Sequence, residues 1–190
     1  MSHDFLKDTS FHLQLDAIDQ NLAHQTQARG CPLCGHKLHC ANYPRSPMGL
    51  PPPLWSFYEK RLSFCCAKCR KRTTPPSVKF FGLRWYPAFL FILVSAFMRG
   101  MRAFFIVQMK RHFGISVGKK TWKRWNRWWN TFFVFTPFWK KAKGLVPQAL
   151  GREDNKILPR ALLKIFKGTF KEKMILTLLY LSPFTRREAG

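Results

Sequence analysis

Two short cysteine motifs constrain this chain more than any other feature. "CPLCG" (31–35) and "CCAKC" (65–69) each contain a C-x-x-C, pairing Cys31 with Cys34 and Cys66 with Cys69. Four thiolates brought together from two such turns suit tetrahedral Zn²⁺, because each tight turn aims two sulfurs and several backbone N–H groups at one point. Four protein ligands leave no open coordination position, so the zinc is expected to be structural. Pro and Gly around the first pair favour a turn, and "RLSFC" reads as a short strand leading into the second. Residues 30–80 are therefore predicted to form a zinc ribbon, with the insertion carrying Pro44, Pro47 and Pro51 to Pro53 looped out between the knuckles. The residues leave some of the ligand set open. Cys65 can take the place of Cys66 with a wider bite, and Cys40, His36 or His39 can enter if the first turn is not the true knuckle. A redox role for either pair lacks the βαβ setting it needs.

The charge distribution points to the partner. The 190 residues carry 33 Lys and Arg against 9 Asp and Glu, a formal charge of +24. That excess exceeds what solubility requires and implies a polyanion, either nucleic acid or an anionic membrane face. Between Glu59 and Glu153 there is no acidic residue, so the cations of that central segment must be compensated from outside it. Residues 1–29 differ: Asp4, Asp8, Asp16 and Asp19 outnumber Lys7 and Arg29, and apolar positions are thinly spread. They read as a weakly ordered or surface-lying arm. No basic segment followed by an apolar one opens the chain, so no secretory peptide is visible and a reducing, cytoplasmic setting is expected, nucleoid-associated in a bacterium. The longest apolar run, "PAFLFILVSAFM" (87–98), falls well short of the roughly 20 residues a spanning helix needs. It predicts a buried helix with Pro87 at its first turn, and membrane association is disfavoured.

Residues 81–136 read as a helical domain. "MRAFFIVQMKRHFGISVGKKTWKRWNRWWN" has the pattern helix, turn, helix, the first helix stopping near Gly114 and the second starting at Ser116 or Gly118. At 100° per residue, Trp122, Trp125, Trp129 and Phe132 share one sector, with Trp128 beside them. Lys120, Lys123, Arg124 and Arg127 occupy the opposite side, with Lys119 at its edge. One aromatic face and one cationic face are what a recognition helix needs, the first docking on the domain and the second meeting phosphates and base edges. Arg70, Lys71 and Arg72 extend the cationic surface beyond the second knuckle. Residues 137–184 predict further helices, with "LPRALLKIF" and "EKMILTLLYL" helically spaced, and 185–190 a frayed tail.

"CPLCG", "FCCAKCRKRTTPPSVKF", an apolar helix and "FGIS…TWKRW" together resemble the N-terminal DNA-binding module of zinc-ribbon insertion-sequence transposases and of small proteins found with mobile elements. The resemblance covers roughly residues 31–130. It implies binding to element ends or related DNA, with Cys31, Cys34, Cys66 and Cys69 as metal ligands and Lys119 to Arg127 facing the groove. The chain departs from that family in its acidic residues, which lie in the arm and at Glu59, Glu153, Asp154, Glu172 and Glu188 and do not assemble a two-metal nuclease centre.

The fold class expected is thus mainly α, with a small zinc-ribbon subdomain and a helix-turn-helix. The function expected is non-catalytic binding of double-stranded DNA, without a small-molecule substrate, in a mobile-element or regulatory role. The alternatives are a ribbon protein for RNA or single strands, or an accessory or remnant that works with a separate transposase chain.

Overall fold

The structure, a computed structural model, describes residues 8–81, 86–97, 107, 110–111, 117–145 and 158–185. It is mainly helical with a small antiparallel sheet. The chain divides into two compact units, one made of Met1–Ala88 with Leu178–Gly190 and the other of Phe89–Thr177.

The first unit opens with α1 (Thr9–Arg29). Asp8 caps it, its carboxylate accepting the Ser10 N–H at 2.8 Å. Phe11, His12, Leu15, Asp19, Ala23 and Thr26 are buried along one side. The expected weakly ordered arm is thus a packed helix. Its buried stripe is half polar, which hides it from a reading based on apolar spacing. The polar members find partners far along the chain. His12 Nδ1 lies 2.8 Å from the Tyr58 hydroxyl, and Asp19 accepts from the Ser77 hydroxyl at 2.5 Å and the Val78 N–H at 2.6 Å.

Five short strands follow: β1 (Leu38–Cys40), β2 (Tyr43–Pro44), β3 (Lys60–Arg61), β4 (Phe64–Cys66) and β5 (Arg72–Thr73). One antiparallel sheet has the order β1-β4-β5, with Leu38 opposite Cys66 and Cys65 opposite both His39 and Arg72. The second sheet pairs β2 with β3. The Pro-rich insertion does not simply loop out. It forms this second ladder and a 3-10 helix (Pro52–Phe57) that packs on α1, burying Leu54 and Tyr58. Proline at the first turn of that helix costs no hydrogen bond, so the Pro run starts structure here.

The segment after β5 is clasped by α1 and by the C-terminal turn. Ser77 accepts from the N–H groups of Lys79 and Phe80 at 3.1 Å each, and its own N–H donates to the Thr185 hydroxyl at 2.7 Å. Lys79 pairs with Asp16 and donates to the Phe57 carbonyl at 2.9 Å. Part of the central cationic excess is thereby matched by the N-terminal helix. Thr185 is buried in a 3-10 turn (Ser182–Thr185), so the tail does not begin there, and 186–190 lie outside the described residues.

The second unit contains most of α2 (Ala88–Phe97), buried almost all round, as its uniform apolar sequence requires. It also contains α3 (Lys119–Thr131), a 3-10 turn (Phe133–Phe135), α4 (Pro137–Ala142), α5 (Leu158–Ile165) and the greater part of α6 (Phe170–Leu181). Gly118 caps α3, and the Thr136 hydroxyl caps α4 by accepting the Trp139 N–H at 3.2 Å. Glu172 caps the start of α6, accepting the Thr169 N–H at 2.7 Å. The expected helix over 101–111 and its turn through Ser116 lie outside the described residues, apart from 107, 110 and 111. Among the described residues no helix is long and apolar enough to cross a membrane.

Candidate metal centre and cationic helix

The two cysteine turns share one geometry. In the first, the Cys31 N–H donates to the His36 carbonyl at 2.9 Å and Gly35 adopts φ 70°. In the second, the Cys66 N–H donates to the Lys71 carbonyl at 3.0 Å and Arg70 adopts φ 58°. The residue after each second cysteine is thus left-handed, and the chain doubles back to donate from the first cysteine to a carbonyl five residues on. Glycine meets that requirement freely in the first turn, whereas Arg70 meets it against the preference of an L side chain. Gly30 joins α1 to the first turn at φ 77°, where a Cβ would stand 2.7 Å from the Gly35 carbonyl oxygen.

These turns bring Cys31, Cys34, Cys66 and Cys69 together, with all four sulfurs within 4.8 Å of one another. The Sγ separations are 3.6 Å for Cys31 with Cys69 and 3.4 Å for Cys34 with Cys66. A tetrahedral ion bonded to sulfur at about 2.3 Å spaces its ligands about 3.8 Å apart, so the donor set and its size fit such an ion. Ala23, Leu38 and Phe64 pack against the cysteines, tying α1 and the sheet to the cluster.

Strand alternation settles which of the adjacent cysteines takes part. Cys66 faces inward opposite Leu38, and Cys65 faces the other side of β4, where its thiol donates to the Arg70 carbonyl at 3.4 Å. Cys40 and His39 are exposed outside the cluster, and His36 makes a 3.0 Å contact with the Cys34 carbonyl oxygen instead.

The four thiols interact strongly. Burial pushes the Cys66 thiol up, but the Cys69 and Lys68 N–H groups and the thiols of Cys34 and Cys69 outweigh it and bring it down to about 6. At Cys69 the Lys71 N–H pulls downward, yet burial and the thiols of Cys66, Cys31 and Cys34 prevail and push it up to about 12. One thiolate therefore forms readily and makes the next one costly. A divalent cation among the sulfurs reverses that repulsion.

The cations near this cluster are not equivalent. Arg70 and Lys71 are exposed, as are Lys37 and Lys68, which the sequence reading did not single out although they sit inside the turns. Arg72, read as a nucleic-acid contact, is exposed as well but is also tethered to the protein. It donates to the Ala41 carbonyl at 2.7 Å and the Ser63 hydroxyl at 3.0 Å, and its guanidinium lies 5.5 Å from the centre of the Tyr43 ring.

On α3 the division into two faces is visible residue by residue. Trp125 and Trp129 are buried, and the Phe91 ring of α2 meets them at 5.1 and 5.2 Å. Trp122 and Trp128 are half-buried, and Lys119, Lys120, Lys123, Arg124 and Arg127 are exposed. Phe132 departs from the projection, being 58% exposed, and Phe133 takes the inward place. The Phe132 N–H still donates to the Trp128 carbonyl at 3.0 Å, so the tighter 3-10 turn changes the phase only from Phe133 onward. No family model matches the chain, and no match was found among curated proteins or solved structures.

Proposed function

We propose that this chain is a non-catalytic nucleic-acid-binding protein that lays the cationic side of α3 along double-stranded DNA. In this reading Cys31, Cys34, Cys66 and Cys69 hold a structural Zn²⁺ in a ribbon, α3 is the second helix of a helix-turn-helix, and the protein serves a cytoplasmic mobile-element or regulatory role. The carrying observation is the division on α3. With Trp125 and Trp129 turned into the core, Lys119, Lys120, Lys123, Arg124 and Arg127 are left in solvent with no carboxylate in the sequence between Glu59 and Glu153. A helix that carries five cations and no counter-charge of its own is suited to phosphate. Arg70 and Lys71, exposed beside the cysteine cluster, add to the same character. The zinc reading is supported by the donor chemistry, since four thiolates at tetrahedral spacing favour a soft, closed site.

The test is duplex affinity measured by fluorescence anisotropy against salt. If those seven cations each neutralise one phosphate, log K falls with log[salt] at a slope of about −6. A slope near zero overturns the reading. Metal analysis of the purified chain tests the ribbon separately, with one Zn²⁺ per chain expected.

A further inference from the structure

The end of α3 does not keep the two-faced pattern that its first three turns establish. Residues four apart on a helix are surface neighbours, so Lys120, Arg124, Trp128 and Phe132 form one ridge, each step rising about 6 Å along the axis. The first two members are exposed cations, the third is a half-buried ring and the fourth is an exposed one. Trp128 and Phe132 are stacked, with centroids 5.9 Å apart and planes at 30°. The ridge then continues into the 3-10 turn. The Phe135 N–H donates to the Phe132 carbonyl at 3.1 Å, and in 3-10 geometry residues three apart eclipse, which places Phe135 over the same side as Phe132. Phe132 is 58% exposed and Phe135 69%.

Single exposed apolar residues are ordinary, but here two phenylalanines stand in succession at the end of a row of cations. Core packing does not require either ring outside, because Phe133 alone fills the inward position, 4.8 Å from Trp129 and 5.4 Å from Trp139. Lys140 and Lys141 of α4, which begins two residues after Phe135, are exposed as well.

We propose that Phe132 and Phe135, continuing the Lys120–Arg124–Trp128 ridge, form a stacking platform for unpaired bases of a single-stranded nucleic acid, so that the protein favours sites where duplex gives way to single strand. The proposal rests on the nucleic-acid reading above and adds a substrate form to it. Charge complementarity selects the occupant. Cations along the ridge take a phosphate backbone, and rings at its end take bases, whose π-faces stack regardless of sequence. An anionic membrane fits less well because α3 contains no aliphatic residue, so insertion would depend on the two phenylalanines alone.

The experiment uses the full chain and three probes: a blunt duplex, the same duplex with a short single-stranded overhang, and vesicles containing anionic phosphatidylserine. The paired substitution Phe132→Ala with Phe135→Ala removes only exposed rings, so circular dichroism should be unchanged. Loss of one stacked base corresponds to roughly 5- to 150-fold in affinity. The paired variant is therefore expected to lose about tenfold or more on the overhang probe and less than about twofold on the blunt duplex, and tryptophan at both positions is expected to restore the preference. Equal affinity of wild type and variant for the overhang probe overturns the platform and leaves the duplex reading standing, as does an equal loss on both nucleic-acid probes. A loss confined to vesicles overturns it in favour of a membrane surface. A wild-type chain that binds neither nucleic acid overturns both readings.

Discussion

Lys79 and Lys123 are the same residue type in opposite circumstances. Lys79, in the first unit, is 4% exposed, paired with Asp16 and hydrogen-bonded to the Phe57 carbonyl. Arg61, also buried there, donates to the Pro75 carbonyl at 2.6 Å and lies in the field of Asp19. Lys123 sits on α3 among four other exposed cations, with no carboxylate on its own helix. The difference shows that a formal charge of +24 is not one uniform surface. A buried cation must be matched within the fold because desolvation is expensive, whereas an exposed row of cations is tolerated and remains available to a polyanion.

The largest effect expected concerns the first unit. Removing metal with a chelator, or Cys66→Ser, should unfold the sheet around the cluster, since the four cysteines join both turns to α1 and the strands. Loss of bound metal together with a lower melting temperature would be the readout. If the cysteine variant melted like wild type, the sheet would not depend on the centre.

Next come two buried groups, one from each unit. Trp125→Ala should cost roughly 3–5 kcal/mol by leaving a cavity beside Phe91. Asp19→Ala should cost a similar amount, about 3–5 kcal/mol, by leaving the buried Ser77 hydroxyl and Val78 N–H without their acceptor and removing the negative charge near Arg61. Chemical denaturation compares them, and a cost below about 1 kcal/mol for Asp19→Ala would place its partners in solvent contact.

The acid also gives a signed pH test. Burial raises the Asp19 carboxyl above its ordinary 3.8, against the opposing pull of Ser77, Arg61, Val78 and Lys79. A raised folded-state value means that its proton-linked stability is full below 3.8 and is lost as pH rises through the folded value. The stability advantage of wild type over Asp19→Asn should therefore shrink as pH rises from 3.8 and then level off. An advantage that grew over that range would show a carboxylate held ionised by Arg61 and Lys79.

A smaller effect separates the exposed cations from the core. Arg124→Ala should leave stability within about 0.5 kcal/mol of wild type and reduce the salt slope of duplex binding by about one. Destabilisation comparable to Trp125→Ala would erase the distinction between the two faces of α3. In the opposite direction, Arg70→Gly should stabilise the chain by about 1 kcal/mol, because glycine adopts φ 58° without the Cβ penalty. An unchanged melting temperature would mean that the second turn carries no strain.

Local chemistry made several features legible in the sequence alone. The C-x-x-C pairs announced the cluster because the spacing is itself the turn. The run of Ala88–Phe97 announced a buried helix, and the alternation of Trp125 and Trp129 with Lys123, Arg124 and Arg127 announced which side of α3 faces the core. Each depends on residues a few positions apart.

Only the tertiary structure decided the rest, because the deciding partner lies far away in the chain. α1 looked like a loose acidic arm until Tyr58, Ser77 and Val78 supplied partners for His12 and Asp19. Cys66 was chosen over Cys65 by its pairing opposite Leu38, and Arg72, though exposed, was tethered by Ala41 and Ser63. Phe133 rather than Phe132 took the inward place where α3 gives way to a tighter turn. Periodicity determines which residues share a face only while the helix lasts, and its end is set by what the next turn can bury.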